Sequence, residues 1–150
     1  MNKSYKTAIH RKRLSGPAKY LSENGLLRGD VLDYGCGRGG DASKLDIDSY
    51  DPYHNPDGLD EGKLYDTIMC NYVLNVIVDA EERYEVIAKI RSLLKEGGIA
   101  YISVRNDIKN LNGYTSIGTW QGFIHLPYTE YKRSSQFVMY TIDSNRGYYG

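Results

Sequence analysis

Residues 30–41 read DVLDYGCGRGGD and contain the pattern that decides the fold. Val31–Tyr34 form a short apolar run typical of a buried strand, and four glycines follow within six positions. Asp41 then opens a short helical segment, about residues 41–45. A strand, a glycine-rich turn and a helix start are the nucleotide-binding unit of doubly wound α/β domains. Glycine permits the positive φ angles of a tight turn and lets a ligand approach the backbone.

The chain has 150 residues, a length typical of one domain with one hydrophobic core. Its 19 Lys and Arg balance 19 Asp and Glu, so no global field favours nucleic acids or membranes. Two cysteines suit a reducing compartment. No signal-type segment and no apolar run of membrane-spanning length occurs. These features predict a cytoplasmic protein with no membrane partner.

Strand and helix patterns alternate along the rest of the chain, which predicts a mostly parallel sheet. We expect a helix over 17–23 capped by Ser15 and a long helix over 79–95 capped by Asp79 and ended by Gly97 and Gly98. We also expect strands over 30–34, 47–51, 65–70 and 99–104. Only 13 residues separate Asp51 from Tyr65, too few for another crossover helix and strand. We therefore predict a compact Rossmann-like, doubly wound sheet of about six strands. The usual strand and helix after its second strand are missing, and the 47–51 strand lies at an edge.

We expect residues 1–150 to form a single domain with two special regions. Residues 1–13 form a basic arm, which either lies on the phosphates of a nucleic acid or is simply solvated. Residues 106–150 form a substrate-side region: a loop over 106–122 and a closing hairpin with arms over 137–142 and 147–150.

Right-handed crossovers bring the C-terminal ends of parallel strands to one edge of a sheet, and ligands of doubly wound domains bind outside that edge. The predicted site is therefore built from four strand ends. These are Tyr34-Gly35, Asp51-Pro52, Cys70-Asn71-Tyr72 and Arg105-Asn106.

Gly35, Gly37 and Gly40 complete a G-x-G-x-x-G pattern, which alone fits either a dinucleotide or S-adenosylmethionine. Asp51 can accept both ribose hydroxyls in either case. Two further features favour S-adenosylmethionine. Asp33 precedes the turn in a strand that a dinucleotide site usually keeps apolar, and the following helix is short, whereas a pyrophosphate needs the dipole of a full helix.

Several stretches taken together resemble one family of class I S-adenosylmethionine-dependent methyltransferases, those associated with DNA phosphorothioation gene clusters. The stretches are VLDYGCGRGGD from residue 31, YDPY from 50, NYVLNVI from 71, DAEER from 79, SVR from 103 and GTWQ from 118. The resemblance covers most of the chain. It implies a methyltransferase that uses S-adenosylmethionine as its small-molecule methyl donor, and it does not supply the acceptor.

The resemblance also implies roles at the glycine-rich turn. Gly35, Cys36 and Gly37 line the methionine part of the cofactor. Asp33 orders the turn and reaches the cofactor's amino group.

The same resemblance assigns the nucleoside and sulfonium positions. Asp51 binds the ribose hydroxyls, with Pro52 and Tyr53 beside the adenine. Asn71 and Tyr72 lie beside the sulfonium, where an aromatic ring gains about 0.5–2 kcal/mol from a cation.

Four residues are candidates for the substrate side. Arg13 ends the basic arm and can fold over the methionine carboxylate, and Arg105 ends a strand at the predicted edge. Trp120 and Gln121 either stack on a planar substrate or anchor a loop to the core.

No metal site is predicted, because His10, His54 and His125 are scattered without ligand spacing. Cys70 is interpreted as a buried inert thiol rather than a nucleophile. No catalytic base is identified from the sequence.

The sequence thus favours a small methyltransferase acting on a nucleic acid or a small molecule. The alternative is a non-catalytic S-adenosylmethionine-binding module that serves a partner subunit. A nicotinamide-dependent oxidoreductase is the third hypothesis.

Overall fold

A computed structural model describes residues 13–35, 40–52, 54–60, 62–108, 112–114 and 120–144. Three helices and eight strands occur in this part of the chain. The helices are α1 (Gly16–Glu23), α2 (Gly40–Leu45) and α3 (Ala80–Ser92), and a 3₁₀ helix covers Leu74–Val76. The strands are β1 (Val31–Tyr34), β2 (Asp48–Tyr50), β3 (Tyr65–Asn71), β4 (Leu94–Arg105), β5 (Asn112–Tyr114), β6 (Trp120–Gly122), β7 (Thr129–Arg133) and β8 (Phe137–Asp143).

Six strands form the central sheet in the order β2-β1-β3-β4-β8-β7. The first four run parallel, and β8 pairs antiparallel with both β4 and β7. The predicted α/β class, the mostly parallel six-stranded sheet and the edge position of the second strand are all confirmed. Between Asp51 and Tyr65 the described residues contain no helix and no strand, only an isolated bridge from Asp51 to Asn55. The predicted absence of a further strand and helix after the second strand is therefore confirmed for the described residues of this segment.

Apolar side chains cover both faces of the sheet, as a doubly wound domain requires. On one face α1 contributes Ala18 and Leu21, which pack against Met69 and Met139. On the other face α3 buries Ile87 and Ile90 in a larger cluster. The alternation along each strand decides which face a side chain joins. None of the helices in the described part of the chain is both long and apolar enough to cross a membrane.

Helix ends follow the sequence signals at the N-terminal side. The Ser15 hydroxyl accepts a hydrogen bond from the Ala18 N–H at the start of α1, and the Asp79 carboxylate accepts one from the Glu81 N–H at the start of α3. Both predicted caps are confirmed. The helix after the glycine-rich turn, α2, has only six residues, as predicted.

The C-terminal limit of α3 was predicted wrongly. The helix ends at Ser92, and β4 already begins at Leu94, so Gly97 and Gly98 lie within a strand. A β-carbon on Gly98 would meet the carbonyl oxygens of Lys95 and Tyr65 at 2.9 and 3.0 Å. Glycine is needed there because two backbones approach closely at an irregularity of the sheet, not because a helix ends.

The predictions for the C-terminal region were also partly wrong. The 106–122 segment is not entirely loop, since β5 and β6 form a small antiparallel hairpin within it. The second arm of the predicted closing hairpin, residues 147–150, lies outside the described residues. A hairpin that was not predicted joins β7 to β8. Its turn is stabilised by Ser134, whose hydroxyl oxygen accepts hydrogen bonds from the N–H groups of Gln136 and Phe137, each at 3.1 Å.

Candidate cofactor site at the strand ends

The C-terminal ends of β1, β2, β3 and β4 lie along one edge of the sheet because these strands are parallel neighbours. Gly35 N–H donates to the Tyr50 carbonyl oxygen at 2.8 Å, which ties the turn after β1 to the end of β2. Tyr72 N–H donates to the Ser103 carbonyl oxygen at 2.8 Å and joins the ends of β3 and β4 in the same way. The four strand ends predicted to form the site are thus brought together.

Gly35 is required by its backbone and by its surroundings. Its φ angle is +75°, and a β-carbon there would lie 2.5 Å from a methyl carbon of Val73. Any larger residue would be strained in this left-handed conformation and would also clash. Glycine at this position therefore lets Val73 pack directly against the turn. Cys36 and Gly37, the next predicted cofactor residues, lie outside the described residues.

Three acidic residues, Asp33, Asp41 and Asp51, converge beside this turn. The Asp33 side chain is buried, with 3% of the residue exposed. Burial, followed by the negative charges of Asp41 and Asp51, raises its pKa from 3.8 to about 8. The carboxyl is therefore mostly protonated at neutral pH, and a cationic ligand placed beside it would favour its ionised form.

Asp41 links the beginning of the described chain to the glycine-rich turn. Its carboxylate accepts hydrogen bonds from the Ser15 N–H at 2.9 Å and from the Ser15 hydroxyl at 2.6 Å. Arg13 is exposed and stands two residues before Ser15. Asp41 is not among the site residues predicted from the sequence, although an acid in the first turn of a helix is a visible signal.

Asp51 is buried at the end of β2, and a compact loop supports it. One carboxylate oxygen, Oδ1, accepts the His54 N–H at 3.0 Å. The Asn55 side-chain amide donates to both the carbonyl and the hydroxyl oxygen of Ser49, each at 2.9 Å. The loop thus holds the carboxylate at the edge. Pro52 is exposed beside it, and Tyr53 lies outside the described residues.

Asn71 supplies the clearest sign of a ligand position. Both polar atoms of its side-chain amide are buried, and neither has a hydrogen-bond partner among the described residues. Ser103 on β4 pairs in register with Asn71, and its hydroxyl is likewise buried without a hydrogen-bond partner among the described residues. A buried polar group without a partner costs about 1–3 kcal/mol, so natural structures rarely keep one unless something else satisfies it.

These groups fit S-adenosylmethionine. The cofactor has a ribose diol for a carboxylate such as Asp51 and both an ammonium and a carboxylate group for an amide such as Asn71. Tyr72 follows with a φ angle of +62°, which a residue other than glycine rarely adopts. Backbone strain of this kind clusters at functional sites, and the Tyr72 ring itself is partly buried against the apolar cluster under α1.

The substrate-side candidates are divided between surface and core. The Arg105 guanidinium binds Asp107 through two hydrogen bonds of 2.9 and 3.0 Å, and this pairing raises its pKa. The Trp120 side chain is partly buried and its ring packs over Gly122. The Arg83 guanidinium carbon lies 5.9 Å from the centroid of the Trp120 ring. This packing favours the core-anchoring interpretation of the tryptophan.

Gln121 reaches the site edge through Asn75, a partner that was not predicted from the sequence. The buried Asn75 amide nitrogen donates to the Gln121 side-chain oxygen at 2.9 Å. Asn75 belongs to the 3₁₀ helix that begins at Leu74, two residues beyond the end of β3. In the sequence, this partner is marked only by an amide side chain, that of Asn75, within the otherwise apolar run VLNVI.

Cys70 is fully buried, and burial raises the pKa of its thiol. A protonated, inaccessible thiol is a poor nucleophile, in agreement with its interpretation as inert. Within the described residues no group of three or more His, Cys, Asp and Glu could hold a metal ion.

Comparisons with known proteins place the chain in a family. The family described as methyltransferase domain matches residues 7–140. The fold resembles that of a DhpI–SAH complex, with 14% identity, a TM-score of 0.58 and coverage of 83% of this chain and 81% of that one. It also resembles a hypothetical protein, TTHA0928, from Thermus thermophilus, with 15% identity, a TM-score of 0.56 and coverage of 91% and 90%.

A third similar structure is longer than this chain. The CcbJ methyltransferase from Streptomyces caelestis is 20% identical with a TM-score of 0.47, and 67% of this chain covers 57% of it. The chain thus spans little more than half of that protein. A search of curated protein sequences found no match.

The fold and the family match define a class I S-adenosylmethionine-dependent methyltransferase domain. The chain belongs to the methyltransferase domain family. S-adenosylmethionine is accordingly its cofactor, and the choice of a methyl donor over a dinucleotide is confirmed.

Proposed function

We propose that this domain transfers a methyl group from S-adenosylmethionine to a nucleic acid or a small molecule, with the donor held at the C-terminal edge of β1 to β4. The buried Asn71 amide supports this most directly, because both of its polar atoms need a partner and both lie at that edge. S-adenosylmethionine supplies an electrophilic methyl group on a sulfonium. The protein's part is to bind, orient and desolvate the reacting groups.

The proposed roles on the methionine side combine charge and bare backbone. Gly35 and the following Cys36 and Gly37 line this part of the cofactor, and Asp33 faces its ammonium group. Burial of Asp33 supports the assignment, because a buried carboxyl gains more from a cation than an exposed one does.

On the nucleoside side Asp51 accepts the ribose hydroxyls, and Pro52 and Tyr53 flank the adenine. Asn71 and Tyr72 lie next to the sulfonium. Near-attack positioning contributes much of the rate enhancement in such reactions, so a dedicated base is not required.

Of the two arginines, Arg13 covers the methionine carboxylate of the donor, and Arg105 faces the acceptor. The anchoring of Ser15 by Asp41 supports the first assignment, since it brings the start of α1 to the glycine-rich turn. Trp120 and Gln121 form the wall behind the acceptor, and the hydrogen bond between Gln121 and Asn75 of the 3₁₀ helix supports this placement.

We also propose that residues 1–150 form one domain of the subgroup associated with DNA phosphorothioation gene clusters. The motifs DYGCGRG, DPY and VLNVI support this subgroup. The described strands share one central sheet apart from the β5–β6 hairpin, and this arrangement supports a single domain.

A non-catalytic S-adenosylmethionine-binding module is the second candidate. The shortened sheet favours it, because the described residues between β2 and β3 provide no helix to enclose the cofactor. Transfer of a labelled methyl group from S-adenosylmethionine to the DNA, RNA, protein and small-molecule fractions of a cell extract distinguishes the two candidates. Enzyme-dependent label in one fraction supports the methyltransferase. Cofactor binding without label in any fraction supports the module.

A further inference from the structure

The edge strand β7 contains a bulge that brings two neighbouring side chains to the same face of the sheet. Glu130 pairs with Tyr140 and Lys132 with Met139, so the register shifts at Tyr131. In a regular strand Tyr131 and Lys132 would point to opposite faces. A bulge at a sheet edge commonly redirects a side chain in this way.

Both redirected side chains contact aromatic rings on the α1 face. The Tyr131 ring lies 5.5 Å from the buried Tyr101 ring in an edge-to-face arrangement. The Lys132 ammonium lies 5.4 Å from the centroid of Tyr20 on α1. Arg28, whose Nε donates a hydrogen bond to the Gly25 carbonyl oxygen at 3.0 Å, carries a positive charge that opposes the rise in the Tyr101 pKa caused by burial. We call the group of Tyr20, Arg28, Tyr101, Tyr131 and Lys132 the tyrosine–cation patch.

The patch combines accessible aromatic surface with positive charge. Tyr131 is 46% exposed, and Arg28 is exposed as well. In the described part of the chain neither Arg28 nor Lys132 forms an ion pair with a carboxylate. The neighbouring Arg133 and Glu130, in contrast, neutralise each other through bonds of 2.6 and 2.9 Å.

The patch is linked to the strand-end edge through the buried ring of Phe137. The Tyr20 ring lies 6.4 Å from that of Phe137, and Phe137 pairs with Arg105 at the C-terminal end of β4. Leu14, where the basic N-terminal segment enters the described chain, packs in the same apolar cluster. An extended ligand bound along the patch would therefore reach the proposed acceptor side.

We infer that the tyrosine–cation patch binds single-stranded nucleic acid and guides it to the cofactor edge. Bases stack on Tyr131, while phosphates contact Lys132 and Arg28. Proteins that bind single strands combine these two elements, because every base offers a flat face and every phosphate a negative charge. The inference rests on the proposed methyl transfer for its purpose, but the binding itself can be measured without turnover.

The test uses the full chain and a fluorescein-labelled single-stranded RNA of about 12 nucleotides, a length within the site sizes of such proteins. DNA of the same sequence serves as a second probe, and binding is followed by fluorescence anisotropy at several salt concentrations. The variants are Tyr131→Ala, Tyr131→Phe and Lys132→Ala. Matched controls on the opposite face are Tyr84→Ala, at a position that is 55% exposed, and Lys89→Ala, both on α3.

Tyr131→Ala should weaken binding at least about fivefold, the lower limit for one stacked base, whereas Tyr131→Phe should retain it. Lys132→Ala should lower the slope of log affinity against log salt by about 0.7. The α3 variants should bind like the wild type. Failure of both probes to bind, or equal losses in the patch and α3 variants, would overturn the inference. Competition by polyglutamate as effective as that by RNA would overturn it as well and would indicate an acidic protein partner.

Binding of S-adenosylhomocysteine, measured by calorimetry on the same variants, separates this inference from the proposed function. It should be unchanged in all of them, because the tested side chains do not contact the strand ends. Absence of nucleic acid binding in a wild type that binds S-adenosylhomocysteine would refute the patch alone. RNA binding by a protein that binds no S-adenosylhomocysteine would refute the proposed function alone.

Discussion

Replacement of Asp33 by asparagine should remove a pH dependence of cofactor binding that originates in this one carboxyl. Burial beside Asp41 and Asp51 raises the Asp33 pKa from 3.8 to about 8, which corresponds to about 6 kcal/mol against the ionised form. A cationic ammonium next to the carboxyl favours that ionised form. Binding should therefore release a proton below pH 8, and affinity should rise with pH by up to about tenfold per unit until it levels off near the free pKa.

The sign of the effect on stability is opposite. The folded protein favours the protonated carboxyl, whereas the unfolded chain ionises near its ordinary pKa of 3.8. The free energy of unfolding should fall as the pH rises from about 4 to about 8 and then remain level. In the Asp33→Asn variant this decline should be absent, because the amide does not titrate.

Calorimetric titration with S-adenosylhomocysteine tests the binding arm. Wild type and Asp33→Asn are compared between about pH 6 and pH 8.5, which brackets the raised pKa. Proton release is obtained from buffers of different ionisation enthalpy. Asp57→Asn, at an exposed position in the loop after β2, controls for charge. The reasoning is refuted if wild type and Asp33→Asn show the same pH profile, or if wild type takes up protons on binding.

Three further variants test other parts of the structure. Gly35→Ala should lose about 2–5 kcal/mol of stability, since it combines a left-handed backbone with a clash, whereas Gly25→Ala, at φ +66° with open space around it, should lose only about 1–2 kcal/mol. Equal losses of unfolding free energy in the two variants, measured by urea denaturation, would contradict the predicted clash with Val73. Cys70→Ala should retain S-adenosylhomocysteine affinity and methyl transfer, and a selective loss of transfer would show that the thiol takes part. Asn75→Leu should cost about 1–3 kcal/mol because Gln121 is left buried without its donor, and combining it with Gln121→Leu should restore part of that loss.

Local chemistry made much of the fold predictable from the sequence. The glycine-rich turn has few alternatives, because Gly35 needs a positive φ and lies against Val73. The short segment between Asp51 and Tyr65 excludes a crossover by length alone. The Ser15 and Asp79 caps act through bonds to residues two or three positions away, so they too are visible locally.

The incorrect expectations involve contacts between distant residues. Gly97 and Gly98 have the appearance of a helix terminator, but both lie within β4. Gly98 is needed because Tyr65 approaches from another strand, and Gly97 has a φ angle of +81°. The unpredicted hairpin between β7 and β8 turns at Ser134, where side-chain hydrogen bonds replace the glycine or asparagine that typically marks a turn in a sequence. The bulge at Tyr131 leaves no local mark, because pairing with β8 creates it.

The candidate site likewise contains some residues that are predictable from the sequence and some contacts that are not. Topology rules alone predict that Gly35, Asp51, Asn71 and Arg105 lie at one edge of the sheet. The burial of the Asn71 amide and the Asn75–Gln121 pair follow from packing between separate elements, which no local pattern encodes.

Calorimetry with S-adenosylhomocysteine on Asp51 variants tests the central claim most directly, namely that the strand-end edge holds the methyl donor. The wild type should bind. Asp51→Asn, which keeps an acceptor for the His54 N–H, should bind about 10–100-fold more weakly through loss of charged hydrogen bonds to the diol. Asp57→Ala should bind like the wild type. Absence of binding by the wild type, or equal affinity in the wild type and the Asp51 variant, would contradict the account.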